Sequence, residues 1–354
     1  MPSPFDKVPR TVCILRLSAI GDVCHVLPVI RTLQRAWPQT RFTWVIGRVE
    51  AKLLGHIPDI EFIPVDKSST ARAYATVRTA MRGRRFDVLM HMQLSLRASV
   101  LSTLIPARIK LGFDRPRARE LQWLFTTDRI ALAQRQHVMD SLFGFAEKFH
   151  VYEKLLRWDI PIPETALEYA RRAIPDGGRT LIISPCSSHA LRNWRAEYYA
   201  EIADYAAGTL GMRVVLCGGR SADEQRMGAS IAALAKQPCK NLIGKDTLLE
   251  LLATLQRATA LLTPDSGPAH MASAVGVPVL GLYAATNPSR SGPYLSRQWC
   301  VDKYDMAARR LMGKPAAELP WTTKIERPGV MDLITPQEVM KKLHSLLIAL
   351  ARRK

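Results

Sequence analysis

Short apolar runs of strand length recur along this chain, each followed by a stretch of helix length, and this alternation constrains the fold more than any other feature. The first set comprises TVCILRL (11–17), RFTWVIG (41–47), EFIPVDK (61–67) and FDVLMHM (86–92). A second set restarts the rhythm with TLIISPC (180–186), MRVVLCGG (212–219), ALLTPD (260–265) and VPVLGLYA (277–284). Strand–helix alternation of this kind requires a parallel sheet with helices on both faces, joined by right-handed crossovers. The chain has 354 residues, beyond the length at which one core keeps growing, so two such units are expected. Between the sets, DIPIPETALEYARRAIPDGG (159–178) gathers prolines and two adjacent glycines around one short helical pattern, as an interdomain linker does. The expected plan is α/β, with two Rossmann-like, doubly wound domains facing across a cleft. They occupy residues 1–165 and 179–334, with a linker at 166–178 and an amphipathic C-terminal helix at 335–354. That helix reads as a cap on a domain before it reads as a membrane-surface element.

Ligands of doubly wound sheets bind at the carboxyl ends of strands, so the loops there hold the candidate chemistry. In TPDSGPAHMASAVGVP (263–278), Asp265, Ser266 and Gly267 open a helix whose free N–H groups and dipole form an anion site. The same Asp-Ser-Gly-Pro also serves as an ordinary N-cap and turn. His270, one turn in, fits either a core histidine or a phosphate donor. SPCSSHALRNW (184–194) offers Ser187, Ser188 and Arg192 after a strand, hydroxyls and a guanidinium suited to a pyrophosphate or to solvent. Glu224 in GGRSADEQ (218–225) can accept a ribose hydroxyl or simply start a helix.

In the first domain RLSAIGDVCHVLP (16–28) places Asp22 where a helix begins. It is either a helix cap or a general base that takes the proton of an acceptor hydroxyl. Gln93 and Arg97 follow in HMQLSLRAS, and Arg115, Arg117 and Arg119 in GFDRPRARELQW. Four arginines and one lysine between residues 108 and 119 suit a multiply anionic acceptor or a solvated basic face.

Fifty Lys and Arg against 31 Asp and Glu leave a formal charge of +19, which attracts phosphates on nucleotides, anionic lipid or nucleic acid. No RNP-type aromatic motif, zinc module or recognition helix accompanies that charge, so nucleic acid is not the expected partner. Neither GxGxxG nor GxxxxGK[ST] occurs, which disfavours ordinary dinucleotide and P-loop binding. No Asp-x-Asp pair offers a Mg²⁺ clamp, and neither metal nor cofactor is expected. Six scattered cysteines without CxxC spacing, no secretory leader and no run of membrane-helix length point to the cytoplasm.

SAIGDVCHVLPVIRTLQRAWP and PDSGPAHMASAVGVPVLGLYAATNP together resemble glycosyltransferase family 9, the bacterial heptosyltransferases of the lipopolysaccharide inner core. The likeness extends through LIISPCSS, Arg192-Asn193-Trp194 and ELPWTTK, and is greatest to members that add the first heptose to Kdo-lipid A. It implies a GT-B fold, ADP-heptose as donor and inversion at the anomeric carbon. It assigns Asp22 as the catalytic base and Ser187, Ser188, Arg192, Glu224, Asp265, Ser266, Gly267 and His270 to the donor. Ser18, Gly21, Gln93, Arg97 and Arg119 fall to the acceptor. Arg192 stands where the family commonly has lysine, which keeps the charge and changes its geometry. The implied setting is the cytoplasmic face of the inner membrane, held peripherally by its anionic surface. Other readings are a GT-B transferase for another sugar nucleotide, or a non-catalytic binder of lipopolysaccharide or nucleic acid.

Overall fold

The computed structural model describes residues 3–352, and the chain divides into two compact units between Pro161 and Ile162. The first unit alternates β1 (Thr11–Leu15), α1 (Ile20–Ala36), β2 (Arg41–Gly47), α2 (Arg48–Leu54), β3 (Ile60–Val65), α3 (Thr70–Ala80), β4 (Phe86–His91), α4 (Leu96–Leu101), β5 (Ala107–Gly112), β6 (Asp128–Arg129) and α5 (Val138–Glu147). Its six strands are all parallel and lie in the order β3-β2-β1-β4-β5-β6. The expected strands are present. The sequence reading passed over β5, because ARIKLG interrupts its apolar residues with Arg108 and Lys110, and over β6, which is only two residues long.

The second unit begins with α6 (Glu164–Ala173), followed by β7 (Thr180–Ile183), α7 (Ala196–Asp204), β8 (Arg213–Leu216), α8 (Ala222–Leu234), β9 (Lys240–Asn241), α9 (Leu248–Gln256), β10 (Ala260–Pro264), α10 (Gly267–Ala274), β11 (Val279–Tyr283), α11 (Pro288–Ser291), β12 (Val301–Asp302), α12 (Tyr304–Met312) and α13 (Pro336–Ala351). The strands run β12-β11-β10-β7-β8-β9, again all parallel. Counted within each unit, both sheets therefore have the order 3-2-1-4-5-6, the Rossmann arrangement. In each, the chain reverses direction across the sheet between its first and fourth strands. That places two switch points, at β1/β4 and at β7/β10. The stretch read as a linker is not a free connection: Ala166 and Ala170 of α6 pack on Ala253 of α9.

Two local devices set the frame. In the first unit Pro28 interrupts α1 and leaves the Cys24 carbonyl without its helical donor, and the buried Trp158 indole N–H fills that place at 2.7 Å. In the second, α13 starts at a Thr335–Glu338 capping box and buries Val339, Leu343, Leu346 and Leu347 in the core. Its apolar face is spent on packing, so among the described residues it is a capping helix. Residues 353 and 354 of the expected C-terminal helix lie outside the described residues. No described helix is long and apolar enough to cross a membrane.

Candidate functional site

Asp22 occupies the third position of α1, immediately beyond the carboxyl end of β1. The N-cap, Ala19, has no side-chain acceptor to offer the helix, and Asp22 Oδ2 reaches back to the Ala19 N–H at 3.0 Å. The Ser18–Ala19 peptide is cis. The same carboxylate oxygen pairs with Arg16 Nη2 at 2.5 Å. Arg16 is buried; its Nε donates to the Ser18 carbonyl at 2.8 Å and its Nη1 to the Met92 carbonyl at 2.5 Å. The guanidinium thus ties the β1 loop to the end of β4 and fixes the carboxylate in one orientation. The next residues close in behind it. The Cys24 thiol is pushed up to about 12 by burial and by the charge of Asp22, so it stays protonated. His25 is buried, its ring edge-on to His137 at 5.5 Å.

Of the residues assigned to the acceptor, Ser18 and Gly21 belong to this same turn, half-buried and buried. Gln93, two residues past the end of β4 at His91, accepts from the Leu17 and Ser18 N–H groups at 3.1 and 3.3 Å. It braces the β1 loop from the neighbouring strand across the switch point. Arg97 is exposed, with Nη1 on the Lys67 carbonyl at 2.8 Å. Lys67 itself grips both oxygens of the buried Glu50, at 2.6 and 2.9 Å. Gly47 lies against this pair; a side chain there would collide with Glu50 Oε2 and the Leu17 carbonyl. Arg119 is exposed. The basic cluster at 108–119 does not act as one pocket. Arg117 is spent on Asp114, Gln136, Ser141 and the Ala131 carbonyl, and Lys110 on the Ser102 carbonyl.

In the second unit the β7 and β10 loops flank the other switch point. Ser187 turns its loop, accepting from the His189 N–H and donating to the His189 carbonyl, while its own N–H is held by Asn193 Oδ1 at 2.7 Å. Ser188 is exposed. Arg192 is largely buried and bonds Glu326 Oε1 through Nε and Nη2 at 2.7 and 2.5 Å. Burial pushes the Glu326 carboxyl up, yet the Arg192 hydrogen bond and the charges of Arg192, His189 and Lys324 hold it below its ordinary value. The Lys324 ammonium is held below the usual lysine range by burial and by Arg192 and Arg290, against the pull of Glu326 and Asp265. Asp265 accepts from Ser291 Oγ at 3.1 Å. Ser266 is the N-cap of α10 and shares a 2.7 Å hydrogen bond with Thr263 Oγ1 rather than capping with its side chain. Gly267 and Pro268 begin the helix with its first N–H groups clear of side-chain caps, and His270 is buried one turn in.

Glu224 sits apart from that group. Its carboxylate takes the Gly219 N–H at 2.8 Å and the Ser221 hydroxyl at 2.7 Å, and so performs the helix-start role at α8. Beyond the carboxyl end of β9, burial pushes the Asp246 carboxyl up to about 7. Asp246 Oδ2 is buried without a hydrogen-bond partner. Burial and the Asp246 charge also push the Tyr169 phenol up to about 12.

One switch point thus bears a fixed carboxylate, and the other a guanidinium and a helix start. The family described as glycosyltransferase family 9 (heptosyltransferase) matches residues 74–321. A lipopolysaccharide core heptosyltransferase of Haemophilus influenzae is 39% identical over 97% of this chain and 98% of its own length. The chain belongs to glycosyltransferase family 9. Lipopolysaccharide heptosyltransferase 1 of Pseudomonas aeruginosa is 26% identical over 96% of this chain and 98% of its own. A family 9 glycosyltransferase from Veillonella parvula superposes with a TM-score of 0.79 at 24% identity, over 96% of this chain and 97% of that one. An E. coli heptosyltransferase solved with ADP gives 0.73 at 21%, covering 95% and 99%. The fold is therefore GT-B, and the protein is a glycosyltransferase whose relatives act in lipopolysaccharide heptose transfer.

Reasoning from the sequence of this family 9 enzyme missed three side chains. Arg16 lay inside an apolar strand run, where only its alternation with Leu15 and Leu17 marked it. Glu326 and Lys324 lie more than 130 residues after Arg192, in the irregular TTKIERPG stretch, and only the fold brings them together.

Proposed function

We propose that this enzyme transfers L-glycero-D-manno-heptose from ADP-heptose to a Kdo hydroxyl of Kdo-lipid A, with inversion and with Asp22 as general base. The observation that carries the reading is the Asp22 carboxylate itself, paired with Arg16 and held by the Ala19 N–H at the switch point of the first sheet. The acceptor hydroxyl gives its proton to the Asp22 carboxylate as its oxygen bonds to the anomeric carbon. The bond from that carbon to the diphosphate oxygen breaks on the opposite face, and ADP leaves with the electron pair. Arg16 and the Ala19 N–H hold the Asp22 carboxylate in position and orientation.

The donor falls to the second unit. The first N–H groups of α10 beside Ser266 and Gly267, with Arg192 and Lys324, take up the growing diphosphate charge. These groups supply that neutralisation without a divalent cation or cofactor. Asp265 fits a sugar hydroxyl, with Ser291 holding it. Ser187, Ser188 and His270 complete the phosphate contacts, and Glu224 fits a ribose hydroxyl only through lone pairs its capping bonds leave open. Solved E. coli relatives bound to ADP and to ADP-2-deoxy-2-fluoro heptose support the donor class. Ser18, Gly21, Gln93, Arg97 and Arg119 serve the acceptor, and the enzyme works peripherally at the cytoplasmic face of an anionic membrane.

Replacing Asp22 by Asn keeps its shape and removes its basicity. Turnover should fall by roughly 10²–10⁴-fold while ADP affinity, measured by calorimetry, stays within about twofold. An Asn variant that turns over like the parent removes Asp22 from the mechanism.

A further inference from the structure

The segment between β5 and α5 carries an exposed patch that neither candidate site uses. Leu121, Leu124 and Leu132 are 50%, 59% and 63% exposed, and Leu96, at the start of α4, is 46% exposed. Internal bonds gather them. The Leu124 N–H donates to the Leu121 carbonyl at 2.9 Å, so the two leucines close one turn. The Leu96 N–H donates to Glu120 Oε2 at 2.6 Å, which sets Leu96 beside that turn. Arg117 binds the Ala131 carbonyl and Gln136 Oε1, each at 2.8 Å, and so pins the Leu132 stretch to residues 114–117.

The patch is also held rigidly. Gln122, between the two leucines, is fully buried; its Oε1 accepts from the Phe113 N–H at 3.1 Å and its Nε2 donates to the His91 carbonyl at 2.8 Å. With Gln122 anchored inward, the side chains on either side of it are turned to solvent. A loop that collapses only to bury surface would place the leucines inward instead.

Charge names the occupant. Arg115, Arg129 and Arg135, which neither candidate site uses, are exposed over the same segment, against a single exposed acid, Glu120, whose carboxylate is already bonded to Leu96. Arg115 lies over the Trp123 ring at 4.2 Å, an amphipathic pair of the kind found at the headgroup level of bilayers. Exposed apolar side chains and exposed guanidinium groups on one segment match acyl chains and lipid phosphates. We propose that the 113–136 segment, with Leu96, is the surface by which this protein docks on a bilayer of anionic phospholipid. The leucines enter the interface and the arginines meet lipid phosphates. The proposal rests on the reading that the acceptor is lipid-borne, and it adds which face of the first unit meets the lipid.

The test is co-sedimentation of the full chain with vesicles of phosphatidylethanolamine and phosphatidylglycerol, beside vesicles of phosphatidylcholine alone. The parent should bind the anionic vesicles, release in high salt, and leave the neutral ones unbound. Leu121→Glu/Leu124→Glu should lower the partition coefficient by about tenfold or more, with an unchanged circular dichroism spectrum. Leu234→Glu, an equally exposed leucine on α8, should bind like the parent. Transfer to a lipid-free Kdo acceptor should survive in the double variant while transfer to vesicle-borne Kdo-lipid A falls. Anionic-vesicle binding that is absent in the parent, or equal in parent and double variant, overturns the proposal. So does a concentration-dependent dimer in sedimentation velocity that the double variant abolishes while vesicle binding persists. If vesicle binding behaves as expected but no acceptor receives heptose, the docking surface stands and the catalytic reading falls.

Discussion

Arg16 illustrates how much of this enzyme is decided by single charges placed at strand ends. Its three bonds join the turn before α1 to the end of β4 and leave Asp22 one orientation. Lys324 has the corresponding place in the second unit, exposed and within the field of Arg192, Arg290, Glu326 and Asp265. Lys324→Ala should weaken ADP binding by roughly ten- to a hundredfold, the worth of a lost charged hydrogen bond. Calorimetry reads this directly, and an unchanged affinity takes Lys324 out of the donor site. Asp246 gives a stability signature that needs no substrate. Burial raises its carboxyl to about 7 from an ordinary 3.8, so the folded protein holds a proton that the unfolded chain releases. Stability therefore falls as pH rises from about 4 to about 7 and changes no further above that. Asp246→Asn should remove this dependence and raise stability at pH 8 by about 1–4 kcal/mol, with little change near pH 4. Melting curves at the two pH values distinguish this from a uniform effect, which would show that Asp246 titrates normally.

At the scale of elements, the paired Rossmann sheets do most to place the sites, because each sets two loops side by side at its switch point. The alternation of apolar strands and helices made this legible: strands whose apolar residues run together, such as β1 and β10, announce themselves. Strands that hold little apolar surface do not, which is why β5 and the two-residue edge strands β6, β9 and β12 went unread. The candidate residues next to long strands, Asp22 and the Asp265–Gly267 turn, were equally legible, since a strand end and a helix start mark them. Glu326 and the Arg117 network were not, because long-range pairing decides them and sequence spacing carries no trace of it. The Pro28 break in α1 is an element-level commitment of the same kind. Trp158→Phe keeps the ring but leaves the buried Cys24 carbonyl without a donor, and should cost about 1–3 kcal/mol of stability. A denaturation midpoint equal to the parent's would mean that water or another group satisfies that carbonyl.

Across the whole molecule, the surplus of positive charge has two proposed uses. Arg192 and Lys324 are assigned to the donor in the second unit, and Arg115, Arg129 and Arg135 of the 113–136 segment to lipid on the first. The family assignment and the fold give the class of enzyme, and the two strand-end sites give the division of labour proposed for it. The central claim is an inverting transfer of one heptose to Kdo. It is tested most directly by incubating the purified parent with ADP-L-glycero-β-D-manno-heptose and Kdo-lipid A, then reading the product by mass spectrometry and anomeric NMR coupling. The account predicts a product one heptose heavier, linked α to Kdo. A β linkage, or an acceptor recovered unmodified beside intact donor, would contradict it.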